Sequence, residues 1–260
     1  MPSLLSTLTQ ILRQWGGAIA FYTCIPLPRT WSLDLDRIAR WAPWVGLGLG
    51  GLLVGMDAIA ATLGMPPLTR SALLVALWLG LTGGLHLDGA MDTADGLAVW
   101  DPQKRLTVMA DSRTGAFGVM AGVLVLLLKT CALTELTDFR TLALLSAMTW
   151  GRWGQILAIA CYPYLKSQGK GASHKTTQQF PWDFLPGLLA LVLLSTISLI
   201  GPLWSPYNWK TAIAVILGCS LISWGTGAWF NRQLQGMTGD PYGAVVEWTE
   251  AFILCGFTLL

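Results

Sequence analysis

Apolar residues occur along this chain in long runs that short polar segments separate. Seven runs approach the roughly 20 apolar residues that a membrane-spanning helix needs. The seven runs cover residues 11–24, 42–63, 71–87, 115–134, 141–162, 185–203 and 211–230. A last apolar stretch, 251–260, is too short to cross alone, but it completes an eighth span if a helix begins within 245–250. The pattern predicts an all-α, polytopic integral membrane helical bundle with about seven or eight transmembrane helices.

Composition supports a membrane protein and argues against other classes. The 260 residues are 53% hydrophobic and 12% charged, whereas an ordinary soluble domain carries roughly 25% charged residues. The net charge of +2 and the lack of a basic run argue against nucleic-acid binding. Five singly scattered cysteines argue against zinc, haem attachment and a disulfide framework. Since no soluble domain is detectable, we expect residues 1–260 to form a single membrane-embedded domain.

The distribution of charge between the loops predicts which side each loop occupies. The loops after the first, third, fifth and seventh predicted spans hold ten lysines and arginines, and the opposite side holds four. By the positive-inside rule, the first set of loops is cytoplasmic. Eleven of the fourteen acidic residues lie on the same side. A surface that carries both signs suits a site that binds metal and phosphate together.

The segment GGLHLDGAMDTADGL (83–97) carries the strongest chemical signal. If it is helical, Asp88, Asp92 and Asp95 share one face, because positions i, i+4 and i+7 lie above one another. Carboxylates at this spacing repel unless a cation lies between them, and hard oxygen ligands suit Mg²⁺. Any one of them alone could instead be a helix cap or a solvated loop acid.

A second segment, DSRTGAFG (111–118), begins the fourth predicted span. Arg113, with Ser112 and the free backbone N–H groups of a helix N-terminus, could bind phosphate there. The alternative is that Asp111 caps the helix and Arg113 anchors the cytoplasmic side.

A third segment, GDPYGAVVEWTE (239–250), places Asp240 in a turn before Glu247 and Glu250. The two glutamates are three residues apart on a predicted helix, and they could equally form an interfacial polar face. All three segments lie on the predicted cytoplasmic side, so they can converge.

Further polar residues stand inside or beside apolar runs. For His86, two residues before Asp88, a structural or capping role is favoured over a general base. Asp57 and Arg152 fall inside predicted spans, where an ionisable residue is functional or paired. They could pair with each other, or Arg152 could bind a substrate phosphate. His174 receives no role from the sequence.

These segments together resemble the cobalamin synthase family, also called adenosylcobinamide-GDP ribazoletransferase. The resemblance rests on residues 83–97, 111–118 and 239–250 in that order, and FYTCIPLP (21–28) and 152–164 support it. One departure is Leu165-Lys166, where an alanine-arginine pair is more usual. Lys166 keeps the charge but loses the bidentate fork of arginine, which affects a phosphate-binding role there.

The resemblance implies a reaction, a cofactor and a location. Adenosylcobinamide phosphate would pass from adenosylcobinamide-GDP to the 5′-hydroxyl of α-ribazole or its 5′-phosphate, releasing GMP, in the last steps of cobalamin nucleotide-loop assembly. The enzyme would need Mg²⁺ and would lie among the lipids of the bacterial cytoplasmic (inner) membrane with its site facing the cytoplasm. Homo-oligomerisation is left open.

The residues expected to form the site fall into three roles. The catalytic residues are Asp92, Asp111 and Glu247; the substrate-binding residues are His86, Ser112, Arg113, Arg152, Lys166 and Glu250; the Mg²⁺ ligands are Asp88, Asp92, Asp95 and Asp240. The identity of the general base is not determined by the motifs.

Rival interpretations remain from two classes. Another Mg²⁺-dependent membrane enzyme acting on a diphosphate is the first, either a CDP-alcohol phosphotransferase or a prenyltransferase. The phosphotransferase motif needs Ala-Arg after Asp-Gly-x-x, whereas Asp92 follows Met91 here. A transporter is the second; Asp57 and Arg152 suggest it, but no inverted repeat supports it.

Overall fold

The structure, a computed structural model, describes residues 4–166, 170–179, 181–200 and 209–260, and most of these residues lie in helices joined by short loops. The helices are α1 Leu4–Tyr22, α2 Ala42–Thr62, α3 Pro67–Thr82, α4 Leu85–Leu97, α5 Pro102–Val108, α6 Ala116–Glu135, α7 Arg140–Cys161, α8 Lys170–Thr177, α9 Leu185–Ile200, α10 Trp209–Leu234 and α11 Gly239–Phe257. These ranges contain no strand, only one isolated bridge between Tyr164 and Met237. The all-α prediction is confirmed.

The predicted apolar runs coincide with helices, but the predicted number of spans is not confirmed. Within the described ranges, three helices are long and apolar enough to cross a membrane: α2 with the single 3-10 turn before it (Ile38–Thr62), α6 (Ala116–Glu135) and α10 (Trp209–Leu234). Helices α3 and α4 qualify only as a pair, and they are bent by 92°. Helix α9 has 16 residues, and residues 201–203 of the run predicted there lie outside the described residues. Most of the final apolar stretch belongs to α11, which begins at Gly239, before the start within 245–250 that was predicted for an eighth span. Helix α11 is not among the described helices that qualify as spans.

Helices α7 and α11 form the centre of the bundle. Helix α7 is buried along almost its whole length and packs against α2, α9, α10 and α11. Glycines permit this close packing: a Cβ on Gly46 of α2 would overlap the carbonyl of Met148, and one on Gly151 would lie 2.8 Å from Cγ of Glu250. Small residues at helix interfaces let membrane helices approach closely.

The turn between α3 and α4 sets the direction of the helix that carries the acidic segment. Gly83 and Gly84 have φ angles of 62° and 69°, a left-handed conformation that glycine adopts at little cost. Two such residues in succession end α3 and redirect the chain. As a result, α4, with only 13 residues, runs across the direction of α3 and is too short to cross a membrane alone.

The charged residues inside the bundle pair differently from one alternative in the sequence analysis. Asp57 accepts hydrogen bonds from Nε and Nη2 of Arg140 at 2.8 and 2.7 Å, and Arg70 lies 3.2 Å away. Arg152 donates to Glu250 instead, at 2.7 Å. The ion pair between Asp57 and Arg152 is therefore wrong: Asp57 faces α3 and the start of α7, while Arg152 faces α11.

Candidate active site

The first and third sequence segments meet where α4 crosses α11. A Cβ on Gly89 of α4 would lie 2.7 Å from the carbonyl oxygen of Asp240, and one on Gly243 of α11 would lie 2.9 Å from the carbonyl oxygen of His86. Each helix thus presents a glycine to the backbone of the other. The predicted convergence of these two segments is present in the structure, and the lack of side chains at Gly89 and Gly243 allows it.

Asp95 joins the second segment to the first. Its Oδ2 accepts a hydrogen bond from the N–H of Gly115 at 2.7 Å, and its Oδ1 accepts one from the N–H of Gly118 at 2.8 Å. Both N–H groups lie at the start of α6, where intrahelical partners are lacking. The sequence analysis proposed that free backbone N–H groups at this helix start bind phosphate. The N–H groups of Gly115 and Gly118 are not free to do so, because both donate to Asp95. Asp95 is buried and anchors α6 to α4.

The remaining acids form a cluster at the edge of the bundle. Asp88 is exposed, whereas Asp92 and Asp240 are half-buried. Burial, followed by the charges of Asp88, Asp240 and Asp95, raises the pKa of Asp92 from 3.8 to about 6, and Lys166 opposes this rise. Lys166 Nζ donates to Oδ2 of Asp240 at 3.3 Å. Carboxylates from α4 and α11 therefore lie close enough to repel one another.

The donor chemistry of this cluster fits a hard divalent cation. The described residues include no group of three or more His, Cys, Asp or Glu side chains already arranged around a metal position. Asp88, Asp92 and Asp240 nevertheless offer carboxylate oxygens beside a single lysine, and Mg²⁺ is commonly held by one or two carboxylates together with substrate phosphates. Mg²⁺ binding by these residues and by Asp95 stays a prediction.

A polar cavity of about 260 Å³ opens beside the acid cluster. Charged side chains line its exposed side, and buried neutral side chains line the rest. The lining includes Asp88, Lys166, Asp240, His86, Gln155, His174 and Tyr242. A larger cavity, about 540 Å³, lies against the opposite face of α4 at Ala90, Ala94 and Leu97. Its lining carries no charged residue, so the polar cavity is the candidate site.

The loop residues of the second segment lie apart from this cavity. Arg113 donates from Nη2 to Oδ2 of Asp111 at 2.7 Å, and Arg113 and Ser112 are both exposed. Hydrogen bonds from Arg113 lower the pKa of Asp111 to about 2. No residue of this loop is among those lining the polar cavity. Roles for Asp111, Ser112 and Arg113 in catalysis or substrate binding stay predictions.

The two glutamates of the third segment lie inside the bundle. Lys129 Nζ donates to Glu247 Oε2 and to Glu250 Oε2, each at 2.6 Å, and Arg152 binds the other oxygen of Glu250. Lys129 also lies 4.2 Å from the ring centroid of Trp78. Two cations thus balance two anions between α6, α7 and α11. Catalytic or substrate-binding roles for Glu247, Glu250 and Arg152 stay predictions, but the structure gives each a buried ion partner.

The sequence analysis gave no role to several residues that the structure places at the cavity or in the buried ion network. Lys129 could have been found from the sequence, because a lysine inside an apolar run is usually functional or paired. Gln155, His174 and Tyr242 line the cavity, yet no local pattern connects them because they belong to α7, α8 and α11. The segment FYTCIPLP contains another, Tyr22, which stacks on the His174 ring with centroids 6.5 Å apart.

The fold and the site together define a helical membrane protein whose acidic cluster and lysine border a polar cavity, a combination suited to a metal-chelated phosphate. The model of the cobalamin-5-phosphate synthase family matches residues 14–258. The chain belongs to this family.

Curated relatives match almost the whole chain. A protein of Trichormus variabilis named adenosylcobinamide-GDP ribazoletransferase is 56% identical over 247 residues, covering 94% of this chain and 96% of the relative. Proteins with the same name from Thermosynechococcus vestitus and Synechocystis sp. are 52% and 50% identical, each covering 95% of this chain and 96% of the relative. No solved structure matches the chain.

Proposed function

We propose that the protein is an adenosylcobinamide-GDP ribazoletransferase. It would join adenosylcobinamide phosphate to the 5′-hydroxyl of α-ribazole or its 5′-phosphate and release GMP. The observation that carries the proposal is the meeting of residues 83–97 and 239–250 around one polar cavity, in a chain whose relatives bear that name.

The acid cluster suits the diphosphate of the donor. Asp88, Asp92 and Asp240 would hold Mg²⁺, whose charge counters that of the donor diphosphate and of the departing GMP. Lys166, half-buried and 3.3 Å from Asp240, supplies a further cation at the edge of the cavity. Its mobile ammonium group can follow charge that develops on phosphate oxygens.

The cavity would place the acceptor hydroxyl against the donor phosphorus. A bond forms between the acceptor oxygen and the cobinamide-bearing phosphorus while the bond from that phosphorus to GMP breaks. GMP leaves with the electron pair, and the proton of the acceptor hydroxyl passes to a carboxylate of the cluster or to the departing GMP. Holding the two reactants in line contributes much of the rate enhancement in such transfers. Asp92, at the centre of the carboxylate cluster, is the residue that we assign both to the metal and to catalysis.

The same proposal includes the position of the protein in the cell. The loop before α6 and the region around α8 carry much of the positive charge of the chain, which favours the cytoplasmic side of the inner membrane. Both substrates would then reach the cavity from the cytoplasm.

The proposal is tested by measuring GMP release from adenosylcobinamide-GDP and α-ribazole by the detergent-purified protein with Mg²⁺. We expect Asp92→Asn to lower turnover by about 100-fold or more, since one charged ligand and its electrostatic contribution are lost. Asp101→Asn is the matched control, because this exposed carboxylate caps α5 by accepting from Gln103 N–H and asparagine caps equally well. Near-normal turnover of Asp92→Asn at saturating Mg²⁺ would show the assignment of Asp92 to be wrong.

A further inference from the structure

The buried lining of the polar cavity, together with Tyr22 packed against two of its residues, contains an unusual group of polar atoms. The hydroxyl of Tyr22, both ring nitrogens of His86 and of His174, Oε1 of Gln155 and the hydroxyl of Tyr242 have no hydrogen-bond partner among the described residues. Each of the five residues is no more than 5% exposed. Buried polar groups are nearly always hydrogen-bonded, and leaving them unpaired is costly. Their concentration in one place indicates a surface built to bind a polar ligand.

Packing holds these side chains in fixed orientations. The Tyr22 ring lies 5.9 Å from the His86 ring and stacks on the His174 ring, while the Phe21 ring meets His174 edge-on at 5.0 Å. Contacts between aromatic rings at these distances are favourable beyond their burial. The unpaired atoms of Tyr22, His86 and His174 therefore belong to rings whose positions are set before any ligand binds, which reduces the entropy lost on binding.

Helix α8 places His174 over the cavity and is itself attached to α7. Lys175 Nζ donates to the carbonyl oxygens of Ile159 and Ala160 at 2.6 and 3.0 Å. A cation is favourable at this C-terminal end of α7, where carbonyl groups lack intrahelical partners. The neighbouring His174 consequently has a fixed support, and its ring need not order when a ligand arrives.

The cavity changes character from its exposed side to its buried side. Asp88, Lys166 and Asp240 are the charged lining residues, and all three are exposed or half-buried. The buried lining is neutral or aromatic; burial lowers the pKa of His174 to about 4, so its imidazole is uncharged at neutral pH. The exposed side suits a metal-bound diphosphate. The buried side suits an uncharged molecule that has hydroxyl groups and a flat ring.

Volume narrows the choice of ligand. Cavities that hold drug-sized molecules measure about 300–1,000 Å³, and this one, about 260 Å³, lies just below that range. It can hold one nucleoside, but it is far too small for a corrinoid macrocycle with its side chains.

We propose that His86, Gln155 and His174, with Tyr22 packed against the two imidazole rings, form the binding site for the nucleoside part of the acceptor, an inference that rests on the proposed function. The flat base would pack against Phe21 and Leu85, and the sugar hydroxyls would bind the imidazole nitrogens and the Gln155 amide. This arrangement directs the reacting hydroxyl toward Asp88 and Asp240. His86, Gln155 and His174 bind the acceptor and determine specificity for it, and Tyr22 is a positioning residue that acts through the two imidazole rings.

The test compares the two substrates in variants that keep side-chain volume. His174→Phe retains the ring but loses both nitrogens, and Gln155→Met retains the length but loses the amide. For each variant we expect KM for α-ribazole to rise by about tenfold or more. The reason is that a polar group of the bound substrate would be buried without its hydrogen-bond partner, which costs at least this much in affinity. KM for adenosylcobinamide-GDP and the Mg²⁺ dependence should stay within about twofold. His174→Gln, which restores a hydrogen-bonding group, should recover part of the loss.

Gln178→Met is the matched control. Its amide nitrogen is also buried without a partner among the described residues, but Gln178 does not line the cavity, so both KM values should be unchanged. Equilibrium binding of α-ribazole to the detergent-purified protein without donor, together with the melting temperature, separates lost binding from lost folding.

The possible results distinguish this proposal from the proposed function. A rise in KM for the donor, or weaker inhibition by GMP, with unchanged KM for α-ribazole would assign the cavity to the guanosine part of the donor and overturn the proposal. If both KM values were unchanged while Asp92→Asn still abolished turnover, the proposal of an acceptor site would be overturned and the proposed function would stand. Absence of GMP release by the unaltered protein would overturn the proposed function, and this proposal with it.

Discussion

The three aspartates of α4 lie on one helical face, but their surroundings differ. Asp95 is buried and both of its carboxylate oxygens accept hydrogen bonds from backbone N–H groups. The charge of Asp92, one turn earlier, is destabilised by burial and then by the carboxylates of Asp88, Asp240 and Asp95. The first arrangement is favourable without any ligand. The second stores electrostatic repulsion that only a cation or a proton relieves.

This difference predicts how stability depends on pH in the absence of metal. Because the folded state raises the pKa of Asp92, the protonated form stabilises the fold. That contribution is complete below about pH 3.8 and is lost as the pH rises through about 6. In EDTA, the melting temperature of the unaltered protein should fall over this window, and Asp92→Asn should remove this part of the fall and raise the melting temperature at pH 7.

Thermal melts at several pH values, with EDTA and with Mg²⁺, check this expectation. Asp101→Asn should retain the pH dependence of the unaltered protein because Asp101 is exposed at the start of α5. An Asp92→Asn variant whose melting temperature followed the unaltered protein across the window would contradict repulsion at Asp92.

At the scale of helices, the sequence predicted where helices begin and end better than which residues pair between helices. Apolar runs are local, so α2, α6 and α7 begin and end within two residues of their predicted bounds. Partners depend on which helices pack together, and that is why Asp57 pairs with Arg140 and not with Arg152. The spacing of the aspartates on α4 was similarly local and predictable. The contact of Asp95 with the start of α6 was not.

Lys129 provides the clearest prediction at this scale, because its ammonium group connects α6 to both glutamates of α11. Lys129→Met should leave Glu247 and Glu250 with one counter-charge, Arg152. Removing one partner of a buried ion pair costs about 3–5 kcal/mol, so the free energy of unfolding in mixed micelles should fall by about that amount. The double variant with Glu247→Gln should recover much of the loss.

Lys104→Met serves as the control for this measurement. Lys104 is 74% exposed and lies 3.7 Å from Asp101, and an exposed pair of this kind contributes about 0–1 kcal/mol. If Lys129→Met were no more destabilising than Lys104→Met, the network would not hold α6 to α11, and its charges would be available for another role.

For the whole molecule, helix number and span number are separate quantities. Each predicted apolar run overlaps a described helix, yet among the described helices only α2, α6 and α10 meet the length and apolarity of a span by themselves. Helix α7 is apolar overall but is enclosed by other helices and carries buried arginines at both Arg140 and Arg152. Hydropathy along the sequence does not distinguish burial in protein from burial in lipid, which explains why the predicted count remains unconfirmed.

The side of the membrane that each loop faces can be measured without counting spans. This topology matters for the proposed reaction because charged nucleotide substrates cross a bilayer poorly. The loops that carry most lysines and arginines should face the cytoplasm. In a background without cysteine, Gln103→Cys on the exposed side of α5 should react with an impermeant maleimide only in inside-out vesicles. Leu63→Cys, 77% exposed at the end of α2, should react only in right-side-out vesicles. Labelling of both positions from one side would contradict this topology, and labelling of Gln103→Cys only from outside would place the acid cluster on the side away from cytoplasmic nucleotides.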